Sequence, residues 1–437
     1  MPNQDIFCNA PWYELQIYWD GSLGFCCQAT HHIYSEDKRS TYNVKNMSIA
    51  EWFNSEPMKK SRLSMHDSKP NSFCSLCYRE ENISGTSRRH KCNQKSVIFT
   101  KGNFKESYTQ SPGYKKFEHS LNNSGHYDGM PIDLHIDLGN YCNLACKMCF
   151  PWASSAIASQ YVQWGDLSAK QYLGSDWTRD QQTWTRILNE IADIPNLKNI
   201  HFMGGETLIT KRFEEFVDFM IDKQKFDICF SFVTNGMIFN ETLINKLTKF
   251  KRVGIEVSIE SLTEHNHYQR QGTDTKLVLN NLEKYFSYCD NQNITVTLRP
   301  TISALTIGSY YTLLEYALNK KLVIKDLMVI KPEYLNPNIL PVAVKQLYIK
   351  KYYNLKEKLP TLNYLNDFNE SNPNEYQKII LGQIDQCITL LTESQPLNAD
   401  QLLTEMVEHC RLWDNIYRYN ALELYPELTE EFVNRGY

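Results

Sequence analysis

Three cysteines, Cys142, Cys146 and Cys149, share one short stretch, Cys142-Asn143-Leu144-Ala145-Cys146-Lys147-Met148-Cys149. The stretch directly follows an apolar segment with strand character, so the thiols lie on a loop. Thiolates are the usual ligands of iron–sulfur clusters. A cubane cluster has four irons, so three local thiolates leave one iron open for a cofactor. Zinc is the competing reading, because three cysteines and one distant ligand also make a structural site. Three buried, inert cysteines are the blandest alternative.

A second group lies near the N-terminus: Cys8, Cys26, Cys27, Cys74 and Cys77. Two separated single cysteines and the pair in Cys74-Ser75-Leu76-Cys77 supply four thiolates. That is a closed site for zinc or for a cubane, and spacing does not decide between them. Cys92, Cys229, Cys289, Cys387 and Cys410 are scattered and read as small buried hydrophobes. The total of 13 cysteines is odd, and Met1-Pro2-Asn3-Gln4-Asp5 does not open a secretory signal. Both facts point to thiolate ligation in a reducing compartment rather than a disulfide framework.

The elements that must position these groups belong to a chain of 437 residues, enough for two or three domains. A net charge of −4 excludes a global field for a polyanion, so a nucleic-acid partner is not expected. Aromatic residues make up 13%, with 27 Tyr, which favours a large core or a stacking-rich pocket. Apolar runs fall short of the ~20 residues of a membrane helix, so a cytoplasmic protein without membrane partners is expected.

Residues 1–80 read as a cysteine-bearing unit. Leu15, Ile17 and Trp19 alternate with polar residues, Asp20-Gly21 signals a turn, and Leu23 and Phe25 suggest a return strand. Ser48 to Phe53 reads as a capping box opening a helix. Residues 81–130 read as a basic linker without periodicity, carrying Arg88, Arg89, Lys91, Lys95, Lys101, Lys105, Lys115 and Lys116. Its bland reading is a solvated connector, and its sharper one a basic lip for an acidic substrate.

From residue 131 the pattern becomes regular. Strands are expected at 133–138, 199–203, 228–233, 253–259, 293–298 and 325–330. Helical stripes lie between them: Trp184, Ile187, Leu188 and Ile191; Phe213, Phe216, Val217 and Met220; Leu243, Ile244 and Leu247; Val278, Leu282 and Phe286. The alternation predicts an α/β fold with a parallel sheet, its ligands at the carboxyl ends of the strands. Residues 345–437 read as helical, with Leu402, Leu403, Met406, Cys410 and Trp413 on one stripe, covering the sheet edge or barrel mouth.

The cysteine spacing of 142–149 resembles that of the radical S-adenosylmethionine (SAM) superfamily. Met148 stands where that family usually has an aromatic residue, and Phe150 or Trp152 is a candidate replacement. His201-Phe202-Met203-Gly204-Gly205-Glu206 is similar to the family's Gly-Gly-Glu element, with Thr207 in place of the common proline. There, glycines admit the SAM methionyl group and a carboxylate meets its ammonium. Thr234-Asn235-Gly236 also resembles relatives at the third strand end. The resemblance implies that Ser258 and Arg270 contact the SAM ribose and carboxylate. Ser258 and Glu260 fall on one face of the fourth strand. For Arg270 the plain alternative is a surface ion pair.

The N-terminal cysteines resemble half of a SPASM domain, also called a twitch domain, placed before the barrel instead of after it. That implies a second, auxiliary [4Fe–4S] cluster on Cys8, Cys26, Cys74 and Cys77, with Cys27 as the alternative to Cys26. The implied fold is a partial (β/α)6 TIM-type barrel over 131–344, with an auxiliary-cluster domain at 1–80 and a helical region at 345–437. The implied activity is reductive cleavage of SAM at a [4Fe–4S] cluster to a 5′-deoxyadenosyl radical. That radical takes hydrogen from a substrate, in a net oxidation or cross-link of a peptide or protein side chain. A nucleotide, sugar or other small metabolite is the alternative substrate, and a non-catalytic iron–sulfur or zinc protein the alternative class. An electron donor such as flavodoxin or ferredoxin is implied as a partner. No catalytic acid or base stands out.

Overall fold

A computed structural model describes residues 5–29, 42–67, 69–84, 87–95, 104–289, 293–359 and 373–437. Lys101 of the basic stretch falls outside them, as do the side chains of Lys95 and Lys105. The strands in chain order are β1 (Glu14–Ile17), β2 (Leu23–Gly24), β3 (Asp133–Asp137), β4 (Ala145–Cys146), β5 (Asn199–Met203), β6 (Cys229–Thr234), β7 (Arg252–Val257), β8 (Arg270–Gln271), β9 (Ile294–Leu298), β10 (Thr301–Ile302), β11 (Val323–Ile324) and β12 (Leu327–Met328). Eight of them form one sheet in the order β11-β9-β7-β6-β5-β3-β1-β2. The α/β class expected from the alternation is therefore the observed one, and its strand order is consistent with a partial barrel.

The chain divides into two compact units. One comprises Met1–Tyr141, Val162–Phe232 and Thr242–Val253, the other Cys142–Tyr161, Val233–Glu241 and Gly254–Tyr437.

In the first unit, β1 and β2 form the expected antiparallel hairpin. β1 also runs parallel to β3, with Glu14 opposite Asp133 and Ile17 opposite Ile136. The N-terminal segment is thus a strand of the main sheet. Alternation suggested one wet face for β1, yet all four residues are buried. Its polar side chains are accommodated by partners: Arg88 Nη2 and Cys92 Sγ both donate to Glu14 Oε1. β3, β5 and β6 continue in parallel. The helix Gln181–Asp193 starts where the Asp180 carboxylate caps Thr183 N at 2.7 Å, and it buries Trp184, Ile187, Leu188 and Ile191. Helix Lys211–Asp222 buries Phe213, Phe216, Val217 and Met220. The capping box of helix Ile49–Phe53 forms as expected between Ser48 and Glu51.

Residues 81–130 depart from the expected irregular connector. They contain the end of helix Ser75–Ser84 and helices Arg88–Lys95, Phe104–Gln110 and Tyr114–Asn122. Phe117 packs on Trp12 at 4.9 Å between ring centroids, and Trp12 Nε1 donates to Ser120 Oγ at 2.8 Å. Short helices with few apolar residues show little periodicity in sequence. These are held by contacts to the first residues of the chain.

In the second unit, β9 and β11 are parallel neighbours. Of the strand expected at 325–330 only Leu327–Met328 forms one, β12, which pairs with β10; β11, just before that range, pairs with β9. Pro300 lies between β9 and β10 and has no N–H to donate, so the ladder breaks there. Leu298 O and Pro300 O still accept from Lys325 N and Leu327 N. Helix Thr275–Phe286, capped by Asp274, buries Val278 and Leu282, with Tyr285 rather than Phe286 completing the stripe. Helix Ala399–Tyr417 buries the expected Leu402, Leu403, Met406, Cys410 and Trp413. No helix among the described residues is long and apolar enough to cross a membrane.

Candidate functional site

The central cysteine loop belongs to the second unit, and its backbone is pinned at several points. Cys142 N donates to Ser155 Oγ at 3.2 Å, and Ser154 Oγ donates to Leu144 O at 3.0 Å. Cys146 pairs antiparallel with Arg270 across β4 and β8. Lys147 N donates to Gln269 O at 2.8 Å, and Cys149 N to Cys146 O at 2.9 Å. The cysteines are therefore presented from a loop that is pinned through its backbone at several points. Burial raises the Cys146 thiol, with Arg270 pulling the other way. Burial, aided by Cys146, pushes Cys149 up to about 12.

Arg270 is not the surface ion pair of the plain alternative. Its Nε and Nη2 each donate to the fully buried Glu260 carboxylate at 2.6 Å. Its Nη1 lies 3.6 Å from Cys146 Sγ. Glu260 Oε1 also accepts from Thr301 N at 2.9 Å. Burial opposes the guanidinium charge, and Glu260 with Cys146 more than offsets it. Two of the three nitrogens are committed to Glu260, which leaves Nη1 to face the cysteine sulfur. Ser258 is buried, and its N–H donates to Thr234 O at 2.9 Å. Asn235 Nδ2 donates to Asn143 Oδ1 at 2.8 Å, so the strand-end Thr-Asn-Gly element holds the cysteine loop directly. Phe150 and Trp152 stack at 4.4 Å, almost parallel at 5°, and Trp152 is 44% exposed.

Lys147 carries no signal in sequence, yet it is 4% exposed. Its ammonium lies 3.6 Å from the Tyr268 ring centroid, 4.9 Å from that of Trp413 and 5.3 Å from that of Tyr419. It donates to Tyr268 O. Burial brings it down to about 7. Trp413 is on helix Ala399–Tyr417, so this C-terminal helix clamps the cysteine loop through a cation–π cage.

In the first unit, Gly204 and Gly205 have φ of +80° and +58°. A Cβ on Gly205 would sit 2.3 Å from Tyr141 O, and one on Gly204 2.8 Å from Asp137 Cβ. Glycine is required here by the close approach of the backbone just before Cys142. Glu206 is 2% exposed, and its Oε1 caps Leu208 N at 3.1 Å.

The N-terminal cysteines, also in the first unit, converge. Cys8, Cys26, Cys74 and Cys77 line one cavity with about 480 Å³ of atom-free space, part of it open to solvent. Cys27 is not among its lining residues, which favours Cys26 of the two. Cys92 lines the cavity as well, although it read in sequence as a scattered hydrophobe. Arg88 and Arg89 complete the wall. Arg88 donates to Glu14 at 2.8 Å and to His135 Nε2 at 2.9 Å, while Arg89 grips Glu81 at 2.9 and 2.6 Å. These two cations of the supposed basic lip are thus committed inside the protein. Burial pushes Cys74 up to about 12, with Cys77 adding to it.

Among the described residues, no three His, Cys, Asp or Glu side chains converge as the ligands of a single metal ion do. The fit to larger clusters rests on donor chemistry. The N-terminal cavity offers thiols with two guanidiniums to balance anionic charge, and the central loop offers three thiols beside one guanidinium. Both sets suit thiolate-ligated iron–sulfur groups.

Candidate proton carriers line the polar side of the first unit's strands. His201 Nδ1 lies 2.7 Å from Ser231 Oγ, and the His135 and His201 rings are 5.3 Å apart. Burial raises Asp137 to about 7, with Gln16 pulling it down. His135 and Asp137 share β3 while His201 is on β5, so no local motif joins them in sequence.

Residues 136–306 match the family model of the Radical SAM superfamily, and residues 8–78 match an iron–sulfur cluster-binding domain, SPASM. These two segments thus resemble a radical SAM domain preceded by a SPASM-type cluster-binding domain. The first domain implies a [4Fe–4S] cluster and SAM, the second an auxiliary iron–sulfur cluster. Among solved structures, the chain is similar to anSMEcpe with bound AdoMet at 20% identity and a TM-score of 0.39, over 53% of this chain and 62% of that one. It thus spans less than two thirds of that relative's length. Streptococcus suis SuiB bound to S-adenosylmethionine matches at 13% identity and a TM-score of 0.37, over 82% of this chain and 71% of that one. SuiB bound to precursor peptide SuiA matches at 12% identity and a TM-score of 0.38, over 76% and 73%. No curated protein matches the sequence.

Proposed function

We propose that the chain is a radical SAM enzyme that oxidises or cross-links a side chain of a peptide or protein. The bound cluster and SAM supply a carbon radical that takes a hydrogen atom from the substrate. Cys142, Cys146 and Cys149 hold the first cluster. Gly204 and Gly205 admit the methionyl backbone of SAM, and Glu206 receives its ammonium. Ser258 contacts the ribose, and Arg270 reaches the ligand through Nη1 while Glu260 fixes its orientation. Cys8, Cys26, Cys74 and Cys77 would hold the auxiliary cluster, which would supply an acceptor for the electron that an oxidation releases. The domain division is 1–80 for the auxiliary cluster, 131–344 for the barrel and 345–437 for the covering helices. Residues 81–130 extend the auxiliary domain. A flavodoxin or ferredoxin delivers the reducing electron in the cytoplasm.

The observation that carries this reading is the presence of two separate thiol sets of different character. One has three cysteines on a loop beside a buried arginine, and the other is a cysteine-lined cavity. Two cations of the stretch that favoured an anionic small metabolite, Arg88 and Arg89, are engaged by Glu14 and Glu81. The test is anaerobic reconstitution, iron and sulfide quantification, and electron paramagnetic resonance with and without SAM. About eight irons per chain are expected for two cubanes. Dithionite and SAM should then yield 5′-deoxyadenosine. No such product from the wild type would sink the enzymatic reading.

A further inference from the structure

The two arginines in the wall of the N-terminal cavity are not equivalent. Arg89 donates Nε and Nη2 to the Glu81 carboxylate and Nη1 to Phe7 O at 3.0 Å, so each of its three nitrogens has an acceptor. Arg88 bonds through Nη2, which reaches both Glu14 Oε1 at 2.8 Å and His135 Nε2 at 2.9 Å. Its Nε is buried and has no acceptor among the described residues. A buried N–H without an acceptor is costly, and it marks a place where an acceptor belongs.

The Arg88 guanidinium is held in one orientation by two strands. Glu14 lies on β1 and His135 on β3, which are parallel neighbours, and both side chains are buried. A guanidinium has donors only, so His135 accepts through Nε2 and carries its own proton on Nδ1. Arg88 lines the cavity, whereas Glu14 is not among its lining residues. The ion pair therefore turns its cationic end toward the thiols. Arg88 also opens helix Arg88–Lys95, beyond the residues 8–78 that match the cluster-binding domain.

We infer that Arg88 is the electrostatic partner of the auxiliary cluster: its guanidinium, held at the cysteine cavity by Glu14 and His135, stabilises the reduced cluster and raises its reduction potential. The reduced cluster has one more negative charge than the oxidised one. A fixed cation in a poorly solvated wall favours that state. The buried Nε supplies an N–H for a cluster sulfur. A raised potential suits a cluster that receives an electron from the substrate. The inference rests on the proposed auxiliary cluster.

The test uses the full chain with Cys142, Cys146 and Cys149 all changed to Ala, so that iron reports the N-terminal site alone. This parent is expected to bind about four irons. An iron-free parent would overturn the auxiliary-cluster reading itself, and the inference with it. Glu14→Gln is added first, so that removing the cation does not strand a buried carboxylate. Arg88→Gln on that background should leave iron and sulfide content unchanged. A redox titration followed by electron paramagnetic resonance should show the reduced-to-oxidised ratio at a fixed potential falling about tenfold, or about 59 mV for a one-electron couple. Arg88→Lys on the same background keeps the charge and should retain most of the potential. If Glu14→Gln does not fold, Arg88→Gln and Arg88→Lys in the parent should differ in the same direction. An unchanged potential in Arg88→Gln, with the irons in place, would overturn the inference alone. So would a fall in Arg88→Lys as large as in Arg88→Gln. Iron loss confined to the Arg88 variants would also overturn it, because Arg88 would then hold the site together rather than set its potential.

Discussion

The two cysteine sites are built in opposite ways. The central loop draws three thiols from one short stretch and fixes them with backbone bonds to Ser155, Gln269 and β8. The N-terminal cavity gathers five cysteines from across residues 8–92: Cys8 before helix Ala10–Tyr13, Cys26 in the bend after β2, Cys74 and Cys77 around the start of helix Ser75–Ser84, and Cys92 in helix Arg88–Lys95. The first has fewer thiols than a cubane has irons, and the second has more. A site short of one ligand is open to a cofactor, whereas a site with a surplus closes on its own thiols. Their charges differ in the same sense. One guanidinium, itself tied to Glu260, stands beside the loop, while two face the cavity.

Removing one ligand from each site should break this contrast most visibly. Cys146→Ala should reduce 5′-deoxyadenosine formation to background and leave about four irons on the chain. Cys77→Ala should lose the other cluster and still support SAM cleavage without substrate turnover. Equal loss of cleavage in both variants, measured by chromatography of the quenched reaction, would refute the division of labour.

Next in size is the buried pair in the open site. Glu260→Gln leaves Arg270 charged and without its carboxylate, at a cost of about 3–5 kcal/mol. Thermal unfolding of the unloaded protein should show the drop. A surface-like loss of ~1 kcal/mol or less would mean that the pair is solvated after all.

A smaller effect is expected at the clamp. Lys147→Met retains the length of the side chain and removes the cation from the Tyr268, Trp413 and Tyr419 cage. A desolvated cation–π contact contributes about 2 kcal/mol. The central cluster should become labile on dilution while the N-terminal one is retained. Equal lability of both would show that the helix Ala399–Tyr417 does not act on the loop. The smallest effect is expected for Cys27→Ala, which should leave iron content and spectra unchanged, because Cys27 is outside the cavity wall. Cys26→Ala should lose the cluster.

Helices such as Gln181–Asp193 and Lys211–Asp222 were legible because each buries one face at a regular period. The central cysteines were legible because all three fall in one short stretch. Gly204, Gly205 and Glu206 were recognisable by resemblance, although the close approach to Tyr141 that requires glycine there is a tertiary fact. The helices between 81 and 130 were not legible. They are short and polar, and they are stabilised by Phe7 and Trp12 from the start of the chain. Arg88 and Arg89 read as a solvated charge run, because a sequence does not show that Glu14 and Glu81 await them.

Residue order alone determined the central cysteine loop, the α/β alternation and the N-terminal cysteine group. Local spacing carries those features, and local spacing survives in one dimension. Tertiary structure alone decided that β1 joins the main sheet, that Lys147 is buried in an aromatic cage, and that Cys92 lines the same cavity as Cys8. Each of these depends on contacts between residues far apart in sequence, where burial and hydrogen bonding are set by the fold and not by neighbouring residues.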